Sequence, residues 1–150
     1  MRSASAQAPV ALEPAAALAL WVDTGRWPTF VEGFGHTASL ARDWPREGAS
    51  HVWESRPGGR GRVTERVLQT GASSLKVQLF EERLTGEQTV IFEPREEGSL
   101  MELRLDYELS QGGPLRAVAD ALFIRRALRD ALRRTVQRFA VEAEDEAGLR

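Results

Sequence analysis

The sequence predicts an α+β fold: a curved antiparallel sheet of six to seven strands wrapped around a long C-terminal helix, with two short helices near the N-terminus. Three observations carry this. From Pro114 to about Glu142, apolar residues recur at three- and four-residue steps, which makes one stripe along roughly eight helical turns. From Leu100 to Leu109 the period is two: Met101, Leu103, Leu105, Tyr107 and Leu109 face one way, and Glu102, Arg104, Asp106 and Glu108 the other. Between these limits and His36, turn residues cut the chain into strand-length pieces with short connections, the pattern of an antiparallel meander. A meander has one apolar face to cover, and the helix offers a stripe of matching length.

The elements follow in order. Met1 to Ala11 is nearly all small residues and reads as a weak strand or a frayed terminus. Pro14 opens a short helix, Ala15 to Val22, because a missing N–H costs nothing in a first turn. Leu18, Trp21 and Val22 give it an apolar face, and Asp23-Thr24-Gly25 ends it. A further helical turn or two covers Arg26 to Val31, closed by Gly33 and Gly35. Strands are expected at His36 to Trp44, ended by Pro45, and at Ser50 to Ser55. Pro57-Gly58-Gly59-Arg60-Gly61 is a hairpin turn into Arg62 to Gln69. After Gly71 come Ser74 to Leu84, a turn at Thr85-Gly86, Gln88 to Glu93, a loop from Pro94 to Gly98, and Leu100 to Leu109. Gly112 and Gly113 break that strand and Pro114 starts the long helix. Its stripe is Leu115, Val118, Leu122, Leu128 or Ala131, Leu132, Val136, Phe139 and Ala140. Its arginines lie mostly off the stripe, with Asp130 one turn from Arg134, and those nearer the C-terminus suit the helix dipole.

Composition narrows the function. A chain of 150 residues is most simply one domain, here with an ordered core from about 5 to 142 and an acidic, fraying tail at 143–150. No cysteine is present, so disulfides and thiolate metal sites are excluded, and a cytoplasmic location is expected. A net charge of −2 gives no general drive toward nucleic acid or anionic membrane, and no apolar run is long enough to span a bilayer. Basic residues are almost all arginine; Lys76 is the single lysine.

Several short motifs together resemble a known family. Glu13-Pro14-Ala15 leads into Leu20-Trp21-Val22-Asp23, and Arg26-Trp27-Pro28-Thr29-Phe30 follows closely. Phe92-Glu93-Pro94 and Glu97-Gly98-Ser99 form a strand–Pro–Gly–strand hairpin, and Tyr107 to Pro114 leads into the Arg-rich helix. Their order resembles the START-like, helix-grip superfamily, in particular its polyketide cyclase/dehydrase and coenzyme-Q-binding-protein branch, over roughly residues 5 to 142. The departure is the first strand, which in that family is apolar and alternating. The resemblance implies a pocket for a hydrophobic ligand and, in some members, aromatic-ring cyclisation or lipid and quinone transfer. It implies no universal catalytic motif.

Individual candidates follow. His36 and His51 fall in different strands with no second ligand type near them, so no metal site and no cofactor are expected. His51 shares a strand face with Trp53 and reads as a surface or satisfied histidine before it reads as a pocket group. Gly58 to Arg62 lacks the Lys-Ser/Thr of a phosphate loop. Arg104 faces solvent by its phase; Arg66 is ambiguous, since Val67 and Leu68 are both apolar. Tyr107 is either a core aromatic bonded to the backbone or a pocket's polar handle. Pocket candidates on the short helices and first strands are Trp27, Phe30, Trp53, Arg66 and Leu79. Those on the later strands and the helix are Phe92, Leu103, Leu105 and Tyr107, then Leu122, Phe123 and Leu128.

Three functions are compatible with these features. The first is binding of a small hydrophobic or aromatic ligand (lipid, quinone or polyketide-like) between sheet and helix, by a monomer or homodimer. The second is a cyclase or dehydratase in which Tyr107 or Arg66 polarises a carbonyl. The third is an interaction module that uses the Arg-rich helix on an acidic partner, tested through Arg126 and Arg133.

Overall fold

The computed structural model describes the backbone of residues 1–110 and 116–150, with side chains for all of these except 116–121. The expectations for Gly112, Gly113, Pro114 and Leu115, and for the side chains of Arg116, Val118 and Asp120, lie outside the described residues. Within them the chain runs β1 (Arg2–Val10), α1 (Pro14–Val22), a 3-10 turn (Thr24–Arg26), α2 (Trp27–Phe30), β2 (Phe34–Leu40) and β3 (Ser50–Ser55). It continues with β4 (Arg62–Thr70), β5 (Ser74–Phe80), β6 (Leu84–Arg95), β7 (Gly98–Leu109) and α3 (Arg116–Gly148). The seven strands form one antiparallel sheet in the order β1-β7-β6-β5-β4-β3-β2. This is the helix-grip arrangement, with α3 held in the sheet's concave face.

Of the two alternatives for the first residues, a weak strand or a frayed terminus, the strand is the one formed, over Arg2–Val10. β1 pairs residue for residue with β7, from Arg2 opposite Tyr107 to Val10 opposite Ser99. Its small residues have a packing role. Ala4, Ala6 and Ala8 lie opposite Leu105, Leu103 and Met101 on the inner face, and α3 packs more closely on β1 than on any other strand. Small side chains let the helix approach the backbone while the large ones on β7 fill the remaining space.

Other boundaries shift for identifiable reasons. β2 starts earlier than expected and ends at Leu40, short of Trp44, whose indole N–H donates to the Val22 carbonyl at 3.0 Å. Thr85-Gly86 is not a turn: both lie in β6, and the turn falls at Glu81–Arg83, where the Glu81 N–H donates to the Leu84 carbonyl at 2.9 Å. Gly86 imitates a turn signal because it sits opposite Tyr107, where a Cβ would lie 2.2 Å from the Asp106 carbonyl oxygen. Gly58, at φ +82°, turns the β3–β4 hairpin as expected. In β4 an extra residue at Leu68 breaks the register between Val67 and Gln69, and β2 carries two similar irregularities. Such bulges bend a sheet around what it grips.

The core gathers where α1, α2 and α3 meet the sheet. On α1 the buried residues are Ala16, Ala17, Leu20 and Trp21, with Leu18 and Val22 only partly covered. Phe139 of α3 packs against Trp21, Phe30 and Phe92, with ring centroids 5.7, 5.1 and 5.6 Å away. The buried stripe of α3 runs Leu128, Leu132, Val136, Phe139 and Ala143, and leaves Leu122 exposed.

Because Ala143 is fully covered, the helix does not fray at Glu142 but continues to Gly148. Its arginines therefore stop short of the last turn, and acidic residues occupy the end that the dipole disfavours. Arg26 offsets this from the 3-10 turn, reaching Glu142 through Nε at 3.2 Å and Glu146 through Nη1 at 3.2 Å. Arg134 and Arg138 reach Glu32 after α2, at 3.3 and 2.6 Å, while Asp130 has Arg133 rather than Arg134 beside it, at 4.0 Å. Arg26→Ala is expected to cost under about 1 kcal/mol globally, since these pairs are solvent-screened. It should nevertheless raise amide exchange selectively over 143–148; unchanged protection there would refute the clamp.

Candidate functional site

Among the described residues, two adjoining spaces lie where α3 meets the sheet and its hairpins. The inner one, about 30 Å³, sits between the sheet and the middle of the helix, over Trp53, Glu65, Gln88 and Leu103, with Leu132 and Thr135 above. The outer one, about 340 Å³, opens between the Gly58-Gly59 hairpin, the Glu81–Arg83 turn and the stretch of α3 from Phe123 to Ala131. Arg60, Leu128 and Ala131 line both and form the wall between them.

The wall is held by charge. Arg60 is paired with Glu81, whose carboxylate accepts its Nε–H at 2.6 Å, and the guanidinium carbon lies 5.3 Å from the Trp53 ring centroid. An ion pair lying against an aromatic face is a fixed but separable barrier, since neither contact is deeply buried on the arginine side.

Behind it is Glu65, only 3% exposed. It alternates with Val63 and Val67, so β4 turns all three inward. The Trp53 indole N–H donates to Glu65 Oε2 at 2.8 Å. Burial pushes the carboxyl up to about 7, against the Trp53 hydrogen bond and the Arg60 charge, with the Glu81 charge adding to the rise. Directly across the ladder on β3 is His51, fully buried. Its Nε2 shares a 2.9 Å hydrogen bond with Thr37 Oγ1, and its ring meets Trp27 edge-on at 4.8 Å. Burial lowers it to about 4, so it is a neutral core histidine at pH 7.

The candidates named from sequence separate into groups. Trp27, Trp53, Leu103, Leu105 and Leu128 line the inner space, and Phe123 and Leu128 the outer. Phe30, Leu79, Phe92 and Tyr107 are buried but line neither. The Tyr107 hydroxyl has no hydrogen-bond partner among the described residues. Arg66 faces solvent, which removes it as a pocket group: the bulge puts Leu68 outside as well, and Val67 alone continues the inward phase. Leu122 is 63% exposed and lines neither space. Arg104 lies on the outer face beside Asp106, as its phase predicts. Among the described residues, no three His, Cys, Asp or Glu side chains converge as a metal-ligand set, and no helix is long and apolar enough to cross a membrane.

Sequence reasoning missed Glu65, Arg60 and Gln88. The signal for Glu65 was present in Val63-x-Glu65-x-Val67, but the apolar Leu68 blurred the phase.

The sequence pattern of the family described as "Polyketide cyclase / dehydrase and lipid transport" matches residues 1–144. No curated protein matches the chain. Among solved structures, the chain is similar to the di-domain ARO/CYC StfQ from the steffimycin biosynthetic pathway, at TM-score 0.78 and 16% identity, over 97% of this chain and 51% of that one. The chain thus spans about half the length of that relative. It is also similar to a protein from Thermus thermophilus, at TM-score 0.73 and 16% identity over 97% and 99% of the two chains. A third is norcoclaurine synthase from Thalictrum flavum in complex with dopamine and hydroxybenzaldehyde, at TM-score 0.70 and 13% identity over 96% and 87%. At these identities the likeness is one of fold.

Proposed function

Because the chain belongs to the polyketide cyclase / dehydrase and lipid transport family, we propose that it takes up a small hydrophobic or aromatic molecule, lipid, quinone or polyketide-like, at the mouth beside α3. The supporting observation is the outer space of about 340 Å³, bounded by apolar helix residues on one side and by the Arg60–Glu81 pair on the other. That volume falls within the range usual for small-molecule sites. The inner space is about a tenth the size of the outer one, so the guest's bulk sits at the rim, against Phe123, Ile124 and Ala127, and only a small end reaches inward.

The test is titration with N-phenyl-1-naphthylamine, a neutral aromatic probe that brightens in apolar surroundings. Saturable binding is expected. Ala127→Trp should weaken it by roughly tenfold or more, because the indole occupies the space while the backbone position stays on an exposed turn of helix. Equal affinity in the variant would sink the proposal. Native mass spectrometry of protein purified from its own host then identifies the natural guest.

A second reading, a cyclase or dehydratase, is favoured by one observation: a titratable carboxyl, Glu65, lines the inner space. Turnover of an added aromatic β-ketoacyl thioester, abolished in Glu65→Gln, would separate it from simple binding.

A further inference from the structure

We propose that Glu65 is the group that recognises the guest, donating its carboxylic-acid proton as a hydrogen bond to a carbonyl oxygen, so that the site prefers aromatic or conjugated ketones over hydrocarbons of the same shape. This rests on the pocket reading above. It begins from hydrogen-bond accounting. Trp53 Nε1 is a donor only, and it is spent on Glu65 Oε2 at 2.8 Å. The carbonyl oxygen of a protonated acid is the better acceptor, so Oε2 takes that role and the proton sits on Oε1. The acid is 3% exposed and lines the inner space, so that proton has the cavity as its outlet.

The space itself fits an oxygen and little more. About 30 Å³ holds one or two atoms of water size, and its walls mix Trp53 and Leu103 with the polar Glu65, Gln88 and Thr135. An apolar body in the outer pocket, pressed against the shared wall at Leu128 and Ala131, can place one heteroatom through it. Arg60 need only slide off the Trp53 face while Glu81 keeps its charge. A carboxylate guest is disfavoured, because an anion would meet the Glu81 charge with only the already paired Arg60 to offset it.

Burial raises this carboxyl, and the surrounding charges do little to undo it because they are paired among themselves. Arg60 and Glu81 approach from the hairpin and the β5–β6 turn and compensate each other. Glu32, which also lines the inner space, is occupied by Arg134 and Arg138 of α3. His51, across the ladder on β3, is neutral. Burial leaves the Glu65 carboxyl titrating at about 7, so the donor is present below that pH and lost above it.

The experiment compares 2-acetylnaphthalene with 2-isopropenylnaphthalene, which differ only by C=O against C=CH₂. Each is competed against the fluorescent probe at pH 5.5 and pH 8.5. Wild-type protein should bind the ketone roughly tenfold more tightly at pH 5.5, the worth of one buried hydrogen bond, with the advantage gone at pH 8.5. Glu65→Gln keeps a neutral donor and should keep the advantage at both pH values. Glu65→Leu should erase it at both while still binding the hydrocarbon. Equal wild-type affinities at pH 5.5, or a pH-dependent advantage that persists in Glu65→Gln, would overturn the assignment and leave the pocket reading standing. Failure of both naphthalenes to bind would remove the two together.

Discussion

Replacing Glu65 by Gln is expected to stabilise the protein relative to wild type by an amount that grows by about 3 kcal/mol between pH 4.5 and pH 7.5 and is constant above. Folding raises this carboxyl from its usual value to about 7 because burial disfavours the anion. Between those two values the native state holds a proton that the unfolded chain has released. Stability then falls as pH rises, and the loss is complete once the folded group also ionises. His51 works in the opposite sense. Burial depresses it to about 4, so the unfolded chain binds the extra proton and stability rises with pH from about 4 to 6.5. The two slopes oppose each other across most of the same window, so between pH 4.5 and 6.5 these two groups nearly cancel in wild type. Glu65→Gln removes one of them and uncovers the other. Urea unfolding of both proteins at half-unit pH steps reads the difference directly, and the remaining titrating groups drop out of the subtraction. A difference independent of pH would show that Glu65 titrates alike in the folded and unfolded protein, with no shift from burial.

Phe139→Ala is expected to cost about 4 kcal/mol and to lower the melting temperature by roughly 10 °C. Phe139 is fully buried and ties α3 to α1 through Trp21, to α2 through Phe30 and to the sheet through Phe92. Truncation leaves a cavity where three layers meet, and none can collapse without moving the others. Leu122→Ala on the same helix should change stability by no more than about 0.5 kcal/mol, since that side chain is 63% exposed. Paired urea titrations give the contrast. Similar losses in the two variants would mean that the helix is not seated on the sheet through this cluster.

Phe139 and Leu122 also show how far periodicity reaches. Both belong to one apolar stripe in sequence, yet only the part of the stripe from Leu128 onward is buried among the described residues. Periodicity identifies a face; it does not say where along that face the sheet extends. Nearby, the exposed Phe123 and the half-buried Ile124 end up beside an opening. Arg66 and Glu65 show a second boundary. Neighbours in a strand face opposite ways, so one residue of phase decides which of them enters the core, and the bulge at Leu68 left that phase ambiguous until the pairing with Val77 and Lys76 was known. Gly86 shows a third: a glycine demanded by a close backbone approach carries the same sequence mark as one that makes a turn.

What the sequence by itself determined is the class and order of elements. The two-residue and 3.6-residue periods, the hairpin glycines and the Trp27-Pro28 turn specify a sheet that grips a terminal helix, because those patterns depend on neighbours a few residues apart. The tertiary structure decided the rest: that the small residues of β1 seat the helix, that Glu65 lies inside against Trp53, and that Arg60 stands between a small inner space and a larger outer one. These depend on the small difference between the volume the sheet encloses and the volume its side chains fill, and that difference is summed over residues far apart in the chain.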